Sequence, residues 1–106
     1  MSLFAMIFAG SVAAQDGPFR SHDGTVFSFA QNQHGGVLTS IGRQTAAQLD
    51  VGDVLYLGRS CDAFSTEFGD GSWSRTNMGF LVEFPGLRLG FPDQAIDIVP
   101  GNRCRI

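Results

Sequence analysis

The sequence predicts an all-β domain: a small antiparallel barrel, with a β-sandwich as the alternative, built from about six or seven short strands and closed by one disulfide. Three observations lead there. From Asp16 onward, short apolar stretches are separated by Gly, Pro, Asn and Asp clusters about every ten residues, the spacing of strands and turns. No amphipathic helix stands out, and Thr45–Leu49 alone has helical composition, enough for little more than one turn. Ten phenylalanines in 106 residues would leave a flat open sheet with a wet aromatic face, so the sheet must close on itself or stack.

Taken in order, Met1–Ala14 (MSLFAMIFAGSVAA) has an apolar run from Leu3 to Ala9 followed by small residues, with Val12 and Ala14 suited to the −3 and −1 sites of a signal peptidase. Residues 1–14 are therefore expected to be a signal peptide and residues 15–106 a single β domain, placed in the periplasm or secreted. No Lys or Arg precedes the run, and the rival reading makes it an N-terminal strand or helix of the core. The run falls far short of the ~20 residues a membrane-crossing helix needs.

Within the domain, Phe27 and Phe29 alternate in TVFSFA, Val37, Thr39 and Ile41 alternate in VLTSI, and Phe64, Thr66 and Phe68 alternate in AFSTEF, each set expected on one face. Val54–Leu57 (VLYL) is apolar on both faces, as a central strand would be, and follows a Gly52-Asp53 turn. The clearest unit is Phe80–Phe91 (FLVEFPGLRLGF). Folding it at Pro85-Gly86 opposes Phe80, Val82 and Phe84 to Phe91, Leu89 and Leu87, and sets Glu83 opposite Arg88 on the outer face. Pro-Gly favours a type II turn, whose twist suits a two-residue hairpin poorly, so a four-residue loop is expected. Farther on, Ile96, Ile98, Cys104 and Ile106 alternate with charged residues, which turns Cys104 inward.

Two cysteines in a chain with export features read as a disulfide, Cys61–Cys104. A zinc site would want closely spaced Cys or His ligands, and none occur, so no metal or other cofactor is expected. The seven basic residues are all arginines, scattered and outnumbered by ten acids to a net charge of −3, which argues against nucleic-acid binding and against docking on an anionic membrane.

Catalysis has thin support. His22 (Ser21-His22-Asp23-Gly24) and His34 (Gln33-His34-Gly35-Gly36) sit in loop-like contexts outside any nucleophile motif, and the carboxylate pairs Asp62 with Glu67 and Asp93 with Asp97 are what any acidic chain offers. Asp70-Gly71-Ser72 lacks the ligand spacing of a calcium loop and reads as a turn. The segment with most unexplained polarity, Gly69–Gly79, holds Trp73 with Arg75 and Asn77: either a sugar- or protein-binding face or the largest core residue on a polar strand. The expectation is a non-enzymatic binding or interaction module for a protein or carbohydrate, with Trp73, Arg75, Asn77 and His34 as candidate contacts. The alternatives are a small hydrolase using His22 or His34 with a carboxylate, and an inhibitor or subunit that docks a free strand edge on an envelope protein.

Overall fold

The computed structural model describes residues 18–43, 48–96, 98 and 104. The expected signal peptide, Asp97 and most of the C-terminal alternation lie outside them.

Among the described residues, eight strands form one antiparallel meander: β1 (Phe19–Arg20), β2 (Val26–Asn32), β3 (Gly35–Gly42), β4 (Val54–Gly58), β5 (Asp62–Ser65), β6 (Gly69–Thr76), β7 (Gly79–Phe84) and β8 (Leu87–Pro92). Each strand pairs with its neighbours in sequence, and the sheet curls into a nearly closed barrel. The class is the one expected. The eighth strand is two-residue β1, too short to carry an alternation signal.

The β7–β8 hairpin has the expected pairing: Phe80↔Phe91, Val82↔Leu89 and Phe84↔Leu87 inside, Glu83↔Arg88 outside with Arg88 Nε 3.4 Å from Glu83 Oε2. The loop is shorter than expected. Phe84 and Leu87 pair directly, so only Pro85 and Gly86 turn the chain, and Gly86 supplies the φ of 83° that a type II turn needs at its third position. The Phe80 and Phe91 rings stack at 4.3 Å, and Phe19 of β1 meets Phe80 edge-on at 5.4 Å.

On two strands the alternating set faces outward. On β3 the inward residues are Leu38 and Ser40, while Ile41 is exposed. Leu38 pairs with Phe29 on one side and Leu55 on the other, a row of large side chains that fixes its face. On β5 the inward residues are Ala63 and Ser65, and Phe64 is exposed. The AFSTEF alternation fails because β5 ends at Ser65, whose buried hydroxyl accepts the N–H groups of Glu67 and Phe68 and so starts the turn. Asp70-Gly71-Ser72, expected to turn, lies within β6.

Ile96, Ile98 and Cys104 are buried as expected, though none of them lies in a strand. Cys61 and Cys104 form the disulfide, with Cα atoms 5.3 Å apart. Trp73 N–H donates to Cys61 O, and Arg75 N–H donates to Cys104 O. The two half-cystines thus lie one after the other along β6, and the bond holds Cys104 beside the part of β6 that extends past its pairing with β5. Closing a loop across 43 positions contributes about 4 kcal/mol in the chain-entropy model.

The seam between β1 and β8 is stitched mainly by side chains. His22 N–H donates to Gly90 O at 2.8 Å, and Gly90 N–H donates to His22 Nδ1 at 3.0 Å. Arg20 N–H donates to Gln94 Oε1 at 2.6 Å while Gln94 Nε2 donates to Arg20 O at 2.7 Å. The Gln94 amide carries the donor and acceptor of a peptide group and stands in for a strand partner. Among the described residues no helix is long and apolar enough to cross a membrane.

Candidate binding site

The candidate contact residues do not form one site. Trp73 is buried to 2% exposure and its Nε1 donates to Gly58 O at 2.7 Å, so it belongs to the core and offers no face to a ligand. Arg75 is half-buried. Its Nε and Nη2 hold Ile96 O at 3.1 and 2.9 Å, and its guanidinium carbon lies 5.8 Å from the Trp73 ring centroid, so this side chain anchors the C-terminal segment on β6. Asn77 is exposed in the β6–β7 turn and lines a cleft of about 450 Å³ with Arg75, Met78, Asp93 and Gln94. His34 lies elsewhere.

The catalytic candidates also fall apart. His22 and His34 flank the two ends of the seven-residue β2, which spans roughly 23 Å at the usual strand rise, and they line different clefts. His22 Nδ1 is committed to the Gly90 N–H. The Ser21 hydroxyl donates at 2.5 Å to Asp23 Oδ1 rather than to a histidine, and Thr25 gives the same oxygen its N–H and its hydroxyl. Burial pushes the Asp23 carboxyl up, but the hydrogen bonds from Ser21, Thr25 and the Gln48 backbone outweigh it and hold it below the usual carboxylate value. This carboxylate therefore folds the β1–β2 turn. Asp62 opens β5 and Glu67 sits in the turn beyond its far end, so that pair is separated by the length of the strand. Among the described residues no cluster of three or more His, Cys, Asp or Glu could hold a metal ion.

What the sequence reading missed is on the outside of β2–β5. Ala30↔Val37, Val37↔Tyr56 and Tyr56↔Phe64 are directly opposed, so their side chains share the outer face as an apolar row across four strands. Tyr56 and Phe64 are each 44% exposed, with ring centroids 6.3 Å apart and planes inclined by 34°. One step toward the loops, the next outer row is Asn32, Gly35 and Gly58. Neither glycine has room for a side chain: a Cβ on Gly35 would lie 2.1 Å from Leu57 O, and one on Gly58 would lie 2.1 Å from the Asp62 carboxylate. The result is a trough of about 280 Å³ with a backbone floor, the two rings along one side and Asn32, His34 and Asp62 at its polar end.

Local bonding sets that end. Asn32 Oδ1 accepts the His34 N–H at 2.8 Å, which folds the β2–β3 hairpin tip. The Gln33 amide and His34 Nε2 lie 3.3 Å apart at the same tip. Behind the trough, the Trp73 indole holds the Gly58 carbonyl from the core side, so the buried Trp positions the floor. The sequence did carry a signal for the rings: a β5 whose inward positions are Ala63 and Ser65 leaves Phe64 no face but the outer one.

Comparison with protein-family models, with curated proteins and with solved structures finds no match to the chain. The functional reading rests on the geometry.

Proposed function

We propose that the protein is a small exported binding domain without catalytic activity, and that its contact surface is the Tyr56–Phe64 trough. The observation that carries this reading is the outward pair of rings. A barrel with eighteen buried apolar residues among those described still leaves two directly opposed aromatic side chains in water, beside hydrogen-bonding groups at Asn32, His34 and Asp62. Exposed aromatics next to convergent polar groups are what a contact surface uses, since a flat ring gives large area at little entropic cost. The scattered titratable groups favour binding over chemistry, because a hydrolase needs a nucleophile and base within hydrogen-bond reach. The stitched β1–β8 seam disfavours docking through a free strand edge.

Export is supported by the Cys61–Cys104 bond, a cross-link that oxidising compartments form and keep. Intact-mass measurement of the product expressed with its export route should give a chain beginning near Gln15 and two hydrogens light until reduced. Retention of Met1 with two thiols free to alkylate would remove the extracytoplasmic assignment.

The site assignment is tested by backbone amide NMR during titration with small probes of different chemistry: neutral oligosaccharides and short cationic and apolar peptides. Shifts confined to Asn32–Val37 and Tyr56–Phe64 with any of these are expected. Shifts centred instead on the Asn77–Asp93 cleft would move the contact surface there.

A further inference from the structure

We infer that the trough binds a neutral saccharide, one sugar ring resting on Tyr56 and Phe64 with its hydroxyls directed to Asn32, His34 and Asp62. This rests on the trough being the contact surface and names the chemistry it would take.

Charge comes first. Among the described residues lining the trough, Asp62 alone is formally charged and none is an arginine, so phosphates, uronates and nucleic acid find no counter-charge among them. Backbone pairing comes second. Val37 pairs on both sides, with Ala30 and Tyr56, and Tyr56 pairs on both sides, with Val37 and Phe64. An extended peptide therefore has no unpaired strand edge to join at this place, and its own amides would be desolvated without partners.

A sugar ring meets both conditions. Its C–H face is apolar and flat enough to lie on an aromatic ring, and its rim carries hydroxyls that donate and accept at once. The trough offers the complementary set: two tilted ring faces, a carboxylate that accepts, an amide that can do both and an imidazole. The Asp62 carboxylate lies over Gly58, where a Cβ would stand 2.1 Å from it, so the acceptor sits directly on the sheet at the polar end of the trough. Its volume of about 280 Å³ lies at the lower end of ligand sites, suited to a single ring held firmly while the remaining units of a chain run over Val37 and Ala30.

The experiment is an NMR and calorimetric titration of the disulfide-intact protein with cellohexaose, chitohexaose and maltohexaose, alongside a hexauronate and a lysine-rich hexapeptide. Expected is saturable binding of at least one neutral hexaose with shifts at Asn32–Val37 and Tyr56–Phe64, and none with the hexauronate. Tyr56→Leu keeps apolar area but removes the flat face, and it should weaken binding about tenfold, as loss of an aromatic anchor does. Asp62→Asn, which retains a hydrogen-bond acceptor, should weaken it less than Asp62→Ala. If the peptide shifts the trough and no saccharide does, the saccharide inference is overturned and the contact surface stands. If no probe shifts the trough, both fall. Circular dichroism and the melting temperature of each variant separate lost binding from lost folding.

Discussion

The β7–β8 hairpin and the β3–β5 stretch are both made of alternating apolar residues, yet they orient their largest side chains differently. In the hairpin Phe80, Phe84 and Phe91 point inward, and the outer face carries the Glu83–Arg88 ion pair. In β4 and β5 leucines, Ala63 and Ser65 point inward while Tyr56 and Phe64 face water. The cause lies on the neighbouring strands. A Cβ at Gly71 of β6 would sit 2.6 Å from the Phe84 ring, so that ring occupies the interior in front of β6, and Trp73 fills the space beyond it. What remains opposite β5 admits only small residues. On the hairpin wall the interior is filled by rings, whereas β5 turns Ala63 and Ser65 inward and, with β4, carries its aromatics outward.

Substitutions at equivalent ring positions on the two walls should separate them. Phe91→Ala removes a ring that is 1% exposed and stacked on Phe80, and should cost about 3–5 kcal/mol in chemical denaturation. A loss under about 1 kcal/mol would mean that the hairpin wall does not carry the core. Ala63→Leu probes the other wall: overpacking the small-residue side should cost about 1–3 kcal/mol. Were β5 to pair one residue out of register, Ala63 would face water and the same substitution would be near neutral.

The two walls also differ in how far the sequence revealed them. The hairpin was legible because two independent patterns, the inward apolar set and the Glu83–Arg88 pair, select one register. The faces of β3 and β5 were not, because alternation alone does not say which face turns inward. Leu38 and Val37 are both apolar, and only the Phe29–Leu38–Leu55 row decides between them. Phe64, Thr66 and Phe68 looked like one face of a strand, although the chain turns after Ser65 and Phe68 reaches the core side by that turn, its ring centroid 6.3 Å from that of Phe84. The disulfide and the barrel followed from composition. The trough did not, since it is made by cross-strand neighbours distant in sequence and by two glycines against which the Leu57 carbonyl and the Asp62 carboxylate pack closely. Trp73, expected either as a contact or as the largest core residue, is buried in the core and acts through Gly58 from the inside.

The β1–β2 turn provides a smaller test, set apart from both walls. Asp23→Asn keeps the shape but loses the charge that Ser21, Thr25 and Gln48 stabilise, and should cost about 1 kcal/mol at neutral pH. Because the folded carboxyl titrates below its unfolded value, its contribution is fully present above the unfolded value of about 4 and is lost as pH falls through the folded one. Denaturation midpoints of the two proteins should therefore differ at pH 7 and converge in acid. A gap that widened on acidification would show that burial, rather than hydrogen bonding, governs this carboxyl.

The smallest expected effect on stability falls on the residues of greatest functional interest. Tyr56→Ser combined with Phe64→Ser removes two rings that are each 44% exposed, and their mutual contact is an outer-face pair of the kind worth roughly 0.2–1 kcal/mol. The net change in unfolding free energy should therefore stay within about 1 kcal/mol. A cost of several kcal/mol would mean that the rings hold the sheet together, and their outward placement would then be a packing solution. A near-neutral result, together with loss of shifts at Asn32–Val37 on titration, leaves recognition as the reason the fold keeps them in water, since nothing inside the barrel depends on them.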